Sequence, residues 1–204
     1  NFKNATLRLN VCLDQDSGYA SQLANARKNL LEAQEKQAKL NARTMTIQEG
    51  LSANRAVNAV VKKDGVHGTV AELGQVKKRF SQALETAAAG KMQNLIVDTD
   101  KTAADCIKYL KQNKLGSASF IPLNKIKYRE ISSEDKKLLK LSGVEDFALN
   151  LISYKSQFKK AFAYVFGNTL VVDDINTARK VGVGRIRMST LDGNSVEASG
   201  VMRG

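Results

Sequence analysis

Two grammars of apolar and polar positions divide the 204 residues. As far as Leu51, apolar residues recur with the alternating 3,4 spacing of a heptad. With Phe2 at position a, the a series runs Phe2, Leu9, Asp16, Leu23, Leu30, Gln37, Thr44, Leu51, and the d series Ala5, Cys12, Tyr19, Ala26, Ala33, Leu40, Ile47. The spacing is unbroken from Leu23 to Leu51, which predicts one strand of a left-handed coiled coil. Small residues at d, with polar Gln37 and Thr44 at a, describe a narrow seam shared with one other helix rather than a broad face lying on its own core. Before Ser21 the pattern changes: Leu7, Leu9, Val11 and Leu13 alternate with period two, and Asp16-Ser17-Gly18 could open a helix as well as continue one. A continuous helix from Phe2 to Leu51 would be about 75 Å long, too long to pack on a small globule alone.

After Lys62-Lys63-Asp64-Gly65 the pattern becomes one of short strands and short helices. It predicts a strand over Gly68 to Val76, a helix from Phe80 to Ala89 stopped by Gly90, and a strand from Asn94 to Val97. A helix from Thr102 to Asn113 and a strand from Ser117 to Leu123 follow. Residues 125–142 read as a charged surface connection with a short helix. Beyond it come an apolar run from Phe147 to Ile152, a helix from Gln157 to Phe166 stopped by Gly167, and a strand from Thr169 to Val172. A helix from Asn176 to Val181 and strands over Arg185 to Leu191 and Ser195 to Ala198 complete the series. Asp192-Gly193 between the last two is a hairpin signal, since both residues tolerate positive φ.

An internal repeat organises this part. Leu95-Ile96-Val97-Asp98 followed by Thr102-Ala103 returns as Leu170-Val171-Val172-Asp173 followed by Thr177-Ala178, displaced by 75 residues. Each copy follows a helix of one kind, with Phe80, Ala83 and Gly90 in the first and Phe158, Ala161 and Gly167 in the second. Two half-domains of one design, led in by a long helix, are the inference.

Composition narrows the function. Pro122 is the single proline, which suits a long helix. No apolar run reaches the ~20 residues that cross a bilayer, and the N-terminus lacks the order of a signal peptide, so a soluble intracellular protein is expected. Cys12 and Cys106 form neither a disulfide framework nor a CxxC pair, and with His67 the only histidine a four-ligand Cys/His zinc site cannot be assembled. Asp98 and Asp173 invite a paired-carboxylate reading, but at strand-to-helix junctions they are expected to cap the following helices. His67 lacks a nucleophile motif beside it and reads as a turn residue. Gly182-Val183-Gly184 is short of a dinucleotide fingerprint, and no G-x-x-x-x-G-K-[ST] occurs, so neither catalysis nor nucleotide binding is expected. Basic residues outnumber acidic ones 32 to 20, a net +12. The clusters are Lys62-Lys63, Lys77-Lys78-Arg79, Lys108 with Lys111 and Lys114, Lys159-Lys160, and Arg179-Lys180 with Arg185 and Arg187. Any one of them alone describes a solvated face, whereas the sum points to a polyanionic partner.

The order of motifs through residues 63–204 closely resembles the hinge domain of SMC proteins, the chromosome condensation and cohesion ATPases, in its bacterial or archaeal form. The resemblance rests on Gly65-Val66-His67-Gly68-Thr69-Val70-Ala71-Glu72-Leu73, Ala83-Leu84-Glu85-Thr86, Leu95 to Asp98, Cys106 to Gly116 and Phe120 to Ile126. It continues through Gly167 to Val172, Arg187-Met188-Ser189-Thr190-Leu191-Asp192-Gly193 and Ser199 to Gly204.

The resemblance implies an α+β (mixed α/β) fold: two pseudo-repeated subdomains with small mixed sheets and flanking helices, preceded by a long coiled-coil helix. Residues 1–62 would be the ascending arm and 63–204 the hinge, with halves at about 63–126 and 145–204. It implies a homodimer that joins two arms, its seam built from sheet edges and a glycine-rich turn. Ser199, Gly200, Val201, Met202 and Gly204 stand at that turn, with Arg203 where the family has a small residue. It implies DNA contact near the junction with the coiled coil, where Lys111 and Lys114 match by position; Lys62 and Lys63 join them on the charge pattern. ATP and magnesium would belong to head domains outside this sequence, and a kleisin subunit would bridge those heads. No cofactor, metal or membrane is expected for the segment itself, and it reads as a fragment without its descending coiled-coil strand. Two other classes stay open: an α/β domain binding a small ligand in the crevice between its halves, and a purely structural connector that never touches DNA.

Overall fold

The computed structural model describes residues 2–204; the side chains of 3–5, 7, 9–18, 20–21 and 41–52 lie outside that description. The chain divides into two units, residues 1–51 and 52–204. From Phe2 onward the first unit is helix, the greater part of α1 (Phe2–Val60), with no break at Asp16-Ser17-Gly18. Among its described seam positions Tyr19, Leu23 and Leu30 are exposed. Several other seam positions, Leu9, Asp16, Thr44 and Leu51 among them, lie outside the described side chains.

The second unit takes in the last turns of α1 and then alternates short elements. They are β1 (Val66–Thr69), α2 (Val70–Leu73), β2 (Gln75–Val76), α3 (Ser81–Ala88), β3 (Leu95–Val97), α4 (Asp100–Gln112), β4 (Phe120–Pro122) and α5 (Ser133–Lys136). After these come β5 (Val144–Phe147), β6 (Ile152–Ser153), α6 (Lys159–Phe166), β7 (Leu170–Val172), α7 (Ile175–Val181), β8 (Met188–Thr190), β9 (Ser195–Val196) and β10 (Met202–Arg203). The expected strand over Gly68 to Val76 is interrupted. Thr69 and Glu72 form a capping box, Thr69 Oγ1 accepting from the Glu72 N–H at 3.2 Å and Glu72 Oε2 from the Thr69 N–H at 2.9 Å, so a turn of helix opens where alternation suggested sheet.

The repeat is wider than its sequence frame. One sheet runs β1-β3-β4 and the other β10-β9-β8-β7-β5. In both, an antiparallel neighbour and a parallel neighbour flank the central strand: β1 and β4 beside β3, β5 and β8 beside β7. Even the register irregularity recurs, between Val66 and Gly68 and between Val144 and Asp146. Gln75 pairs with Ser153 between β2 and β6, and these two residues are equivalents displaced by 78, the pairing a local two-fold axis produces. The same displacement relates α3 to α6. It drops to 75 at Leu95 and Leu170 because the 3-10 turn Lys91–Gln93 has no counterpart.

Physical chemistry explains the repeated frame. Asp98 and Asp173 do not cap the helices; the caps are the next residues, with Thr99 Oγ1 accepting from the Thr102 N–H at 3.1 Å and Asp174 Oδ1 from the Thr177 N–H at 2.7 Å. The aspartates close the strands instead, their N–H groups donating to Gly65 and Gly143 carbonyls at 2.9 Å in both halves. Gly65 and Gly143 have φ of +77° and +84°, and a Cβ there would stand 3.1 and 2.8 Å from the hydroxyls of Thr102 and Thr177. Each frame therefore needs a glycine immediately before its first strand, and a threonine fills the space beneath it. His67, expected in a turn, lies in β1. Its Nε2 is 2.6 Å from Asp98 Oδ1, and its ring meets Phe158 of the other half edge-on at 5.1 Å between centroids.

Three clusters fill the interior. The central one joins the halves: Val70, Ala83, Leu84, Ala87, Ile96 and Ile121 from the first pack with Ile152, Phe158, Ala161, Phe162, Phe166 and Val171 from the second. Tyr154 stacks on Phe162 at 4.4 Å and Phe162 on Phe166 at 5.9 Å. At about 1.5–3 kcal/mol per fully buried large apolar side chain, this shared cluster is the main stabilising term. A second cluster lies between α7 and its sheet around Leu170, Met188 and Val196. The third packs Ala56, Val57 and Val60 of α1 on Leu95, Cys106 and Leu110.

Acid sensitivity follows from one cap. The Thr177 N–H holds the Asp174 carboxyl below its ordinary value of 3.8. A depressed carboxylate stabilises the fold above the unfolded value and loses that contribution as pH falls through the folded one. Asn is also a good cap, so Asp174→Asn should leave stability at pH 7 nearly unchanged while flattening the loss below pH 3.8. Thermal melts from pH 7 to pH 2 check this.

Candidate dimer edge and basic surface

The glycine-rich end of the chain forms a sheet edge. After β9 the chain turns through Glu197–Val201, where the Glu197 N–H donates to the Val201 carbonyl at 2.8 Å and the Gly200 N–H to the Glu197 carbonyl at 2.9 Å. Gly200 takes φ +92°, which a side chain would strain. The turn returns the chain as β10, with Met202 opposite Val196 and Arg203 opposite Ser195. β10 ends its sheet, so its outer backbone edge has no strand beside it among the described residues. Val201 and Met202 are 48% and 42% exposed on that edge, and Ser199 and Gly204 are exposed beside them. The five residues named from the sequence thus lie together on one terminal hairpin.

The first half has an open edge of its own. β4 ends the sheet β1-β3-β4. It corresponds to β8, which in the second half carries β9 and β10 on its outer side.

The four candidate lysines gather about α4 and the end of α1. Lys63 lies with Nζ 3.4 Å from the Tyr109 ring centroid, a cation–π contact joining the residues after α1 to α4. Lys111 stands exposed in the last turn of α4 and Lys114 just past it; Lys62 is exposed beside Lys63. Cys106 packs in the third core cluster, and burial pushes its thiol up, with Lys63 opposing. The end of α4 is a Schellman turn: the Leu115 N–H donates to the Leu110 carbonyl at 3.0 Å and the Lys114 N–H to the Lys111 carbonyl at 3.3 Å. Lys114 takes φ +51° there, a position glycine usually fills. Among the described residues no group of acidic, histidine and cysteine side chains could hold a metal ion, and no helix is long and apolar enough to cross a membrane.

A two-half α/β module that follows a long helix and presents open strand edges is a class of its own, and comparison with known proteins places this chain in it. The family described as the SMC proteins flexible hinge domain matches residues 63–182. The chromosome partition protein Smc of Synechocystis sp. is 42% identical over 180 residues, 86% of this chain and 15% of that protein. Its counterpart in Methanocaldococcus jannaschii is 36% identical over 172 residues, 81% of this chain and 14% of that one. Among solved structures, an asymmetric dimer of the Geobacillus stearothermophilus SMC hinge domain matches with TM-score 0.70 and 30% identity, over 85% of this chain and 78% of that one. The Pyrococcus furiosus Smc hinge domain with an extended coiled coil matches with TM-score 0.67 and 31% identity, over 88% of this chain and 65% of that one. The chain belongs to the SMC hinge domain family, and it spans about 15% of the length of the curated relatives it matches. It is a hinge segment and not a catalytic domain.

The strain at Lys114 is measurable. A non-glycine residue in this conformation costs about 1 kcal/mol, so Lys114→Gly should raise the melting temperature by roughly 2–4 °C. A differential scanning calorimetry trace of the two proteins decides it.

Proposed function

We propose that this segment joins two SMC arms by reciprocal edge pairing, β10 of one copy adding to β4 of the other and β4 of the first receiving β10 of the second. The single observation that carries the reading is the mismatch between the two repeated sheets. β8 is extended outward by β9 and β10, whereas β4, its equivalent, ends bare. A two-fold dimer that sets β10 of each copy against β4 of the other satisfies the outer backbone N–H and C=O groups of both strands. The Geobacillus stearothermophilus hinge domain forms an asymmetric dimer, which supports dimerisation here. Ser199, Gly200, Val201, Met202 and Gly204 are the residues we assign to the seam.

The basic surface of Lys62, Lys63, Lys111 and Lys114 we assign to DNA. A lysine kept in left-handed backbone at position 114, where glycine would relax the turn, is the structural support, since strain held at a surface position points to function. The named relatives are chromosome partition proteins, which fits a location on the chromosome in the cytoplasm. ATP hydrolysis, with ATP and magnesium, and a bridging kleisin subunit are assigned to the heads of the longer protein. Family membership favours this reading over the ligand-crevice alternative.

Sedimentation equilibrium tests the seam: Gly200→Glu with Gly204→Glu should convert dimers to monomers, and an unchanged dimer would overturn the assignment. For DNA, Lys111→Glu with Lys114→Glu should weaken binding of a duplex in low salt, and the difference should shrink at high salt. An affinity insensitive to both would leave the lysines as solvated charge.

A further inference from the structure

Two sequence motifs that dimerisation does not by itself explain, Ala83 to Thr86 and Arg187 to Gly193, turn out to touch each other across the two halves. Gln82 Nε2 donates to the Asp192 carbonyl at 2.8 Å, and Thr86 Oγ1 to the Gly193 carbonyl at 3.0 Å, so α3 grips the tip of the β8–β9 hairpin. The approach is close: a Cβ on Gly193 would stand 2.7 Å from Gln82 Nε2. At the other end of β8, Arg187 donates from Nη1 to the Ala87 carbonyl at 2.9 Å and from Nη2 to the Thr86 carbonyl at 3.4 Å. Those carbonyls are at the C-terminal end of α3, where helical partners run out and the dipole favours a cation. The Arg187 Nε, buried and without a hydrogen bond, faces Glu197 Oε2 at 3.2 Å as an ion pair. Glu197 in turn begins the turn that aims β10, through its N–H to the Val201 carbonyl.

The geometry points to Arg187, with Thr86 and Gln82, as the residues that position the dimerising edge. One guanidinium holds the helix end of the first half and the carboxylate at the root of β10 together, while the hydroxyl and amide fix the hairpin tip. The clamp exists once. The residue equivalent to Arg187 is Ser119, before β4, and that half has no added strands to aim. Affinity between copies therefore depends on contacts inside one copy, made by side chains that need not touch the partner. This inference rests on the assignment of β10 to the seam.

The test compares the dimer dissociation constants of the parent, Arg187→Met, Arg187→Lys, Thr86→Val and Gly200→Glu by sedimentation equilibrium. Amide exchange in β3 and β7 is followed in parallel to report the fold. Arg187→Met should weaken the dimer roughly ten- to hundredfold with core exchange protection retained, Thr86→Val should weaken it less, and Arg187→Lys should recover part of the loss. Arg187→Met and Glu197→Gln should be non-additive in a double-mutant cycle on that constant. If Arg187→Met does not fold, Thr86→Val and Arg187→Lys decide alone. Dissociation constants within twofold of the parent, with Gly200→Glu monomeric, overturn the clamp while leaving the edge assignment intact. A parent that is monomeric, or a Gly200→Glu that still dimerises, overturns the edge assignment and the clamp with it.

Discussion

Neither half of the globule buries by itself the apolar face of the helix that precedes its central strand, and the structure is built on that shortfall. α3 and α6 each turn alanines and one or two large side chains toward the same interior, where Leu84 and Phe162 occupy equivalent places. Packing these faces on each other is what makes two sets of very short strands stable, since three-residue strands in a three-stranded sheet would be marginal alone. The two-stranded β2–β6 ladder, the His67–Phe158 contact and the ion pair of Arg79 with Glu145 lie along the same join. The join is hydrophobic first and polar only at its margins, so it favours closeness without fixing orientation; the margins supply the orientation.

Departures from the repeat mark where the module does something a symmetric fold would not. The second sheet has β9 and β10 and the first does not. The first half has the Lys91–Gln93 turn and the Lys63–Tyr109 contact just after the entering helix, and the second is preceded by the charged connection and α5 instead. The duplicated part thus supplies a scaffold, and the unduplicated additions carry a strand edge on one half and a cationic junction on the other.

Much of this was legible in the sequence because it rests on local signals. The helical periodicity from Leu23 to Leu51, glycines closing helices, the Asp192-Gly193 hairpin and the L-[IV]-V-D-x-x-x-T-A frame each reflect a constraint within a few residues. The capping box at Thr69 and Glu72 was equally local, but the alternation around it suggested strand, and the box prevailed because it satisfies backbone donors that a strand end would leave unpaired. The caps were misplaced by one residue because an aspartate and its neighbour are both good cap formers, and only the strand's last hydrogen bond, Asp98 or Asp173 to Gly65 or Gly143, decides which is used. The second copy of β1, beginning at Gly143, was hidden: Val144-Glu145-Asp146-Phe147 shares little with Val66-His67-Gly68-Thr69 beyond a valine after a glycine. The meeting of Gln82, Thr86 and Arg187 with the hairpin could not be read at all, since partners about 100 residues apart leave no periodic trace.

The self-equivalent pairing of Gln75 with Ser153 carries one more consequence. A join whose two sides are nearly the same offers the same contacts between chains as within one, so exchange of halves between molecules is opposed mainly by the tether that holds them in one chain. What also separates the right closure from that exchange is whatever differs between the sides: the unmatched turn at Lys91–Gln93, the single guanidinium at Arg187, and the length of chain between β4 and β5. The irregularities of a duplicated fold thus favour each chain's halves closing on each other.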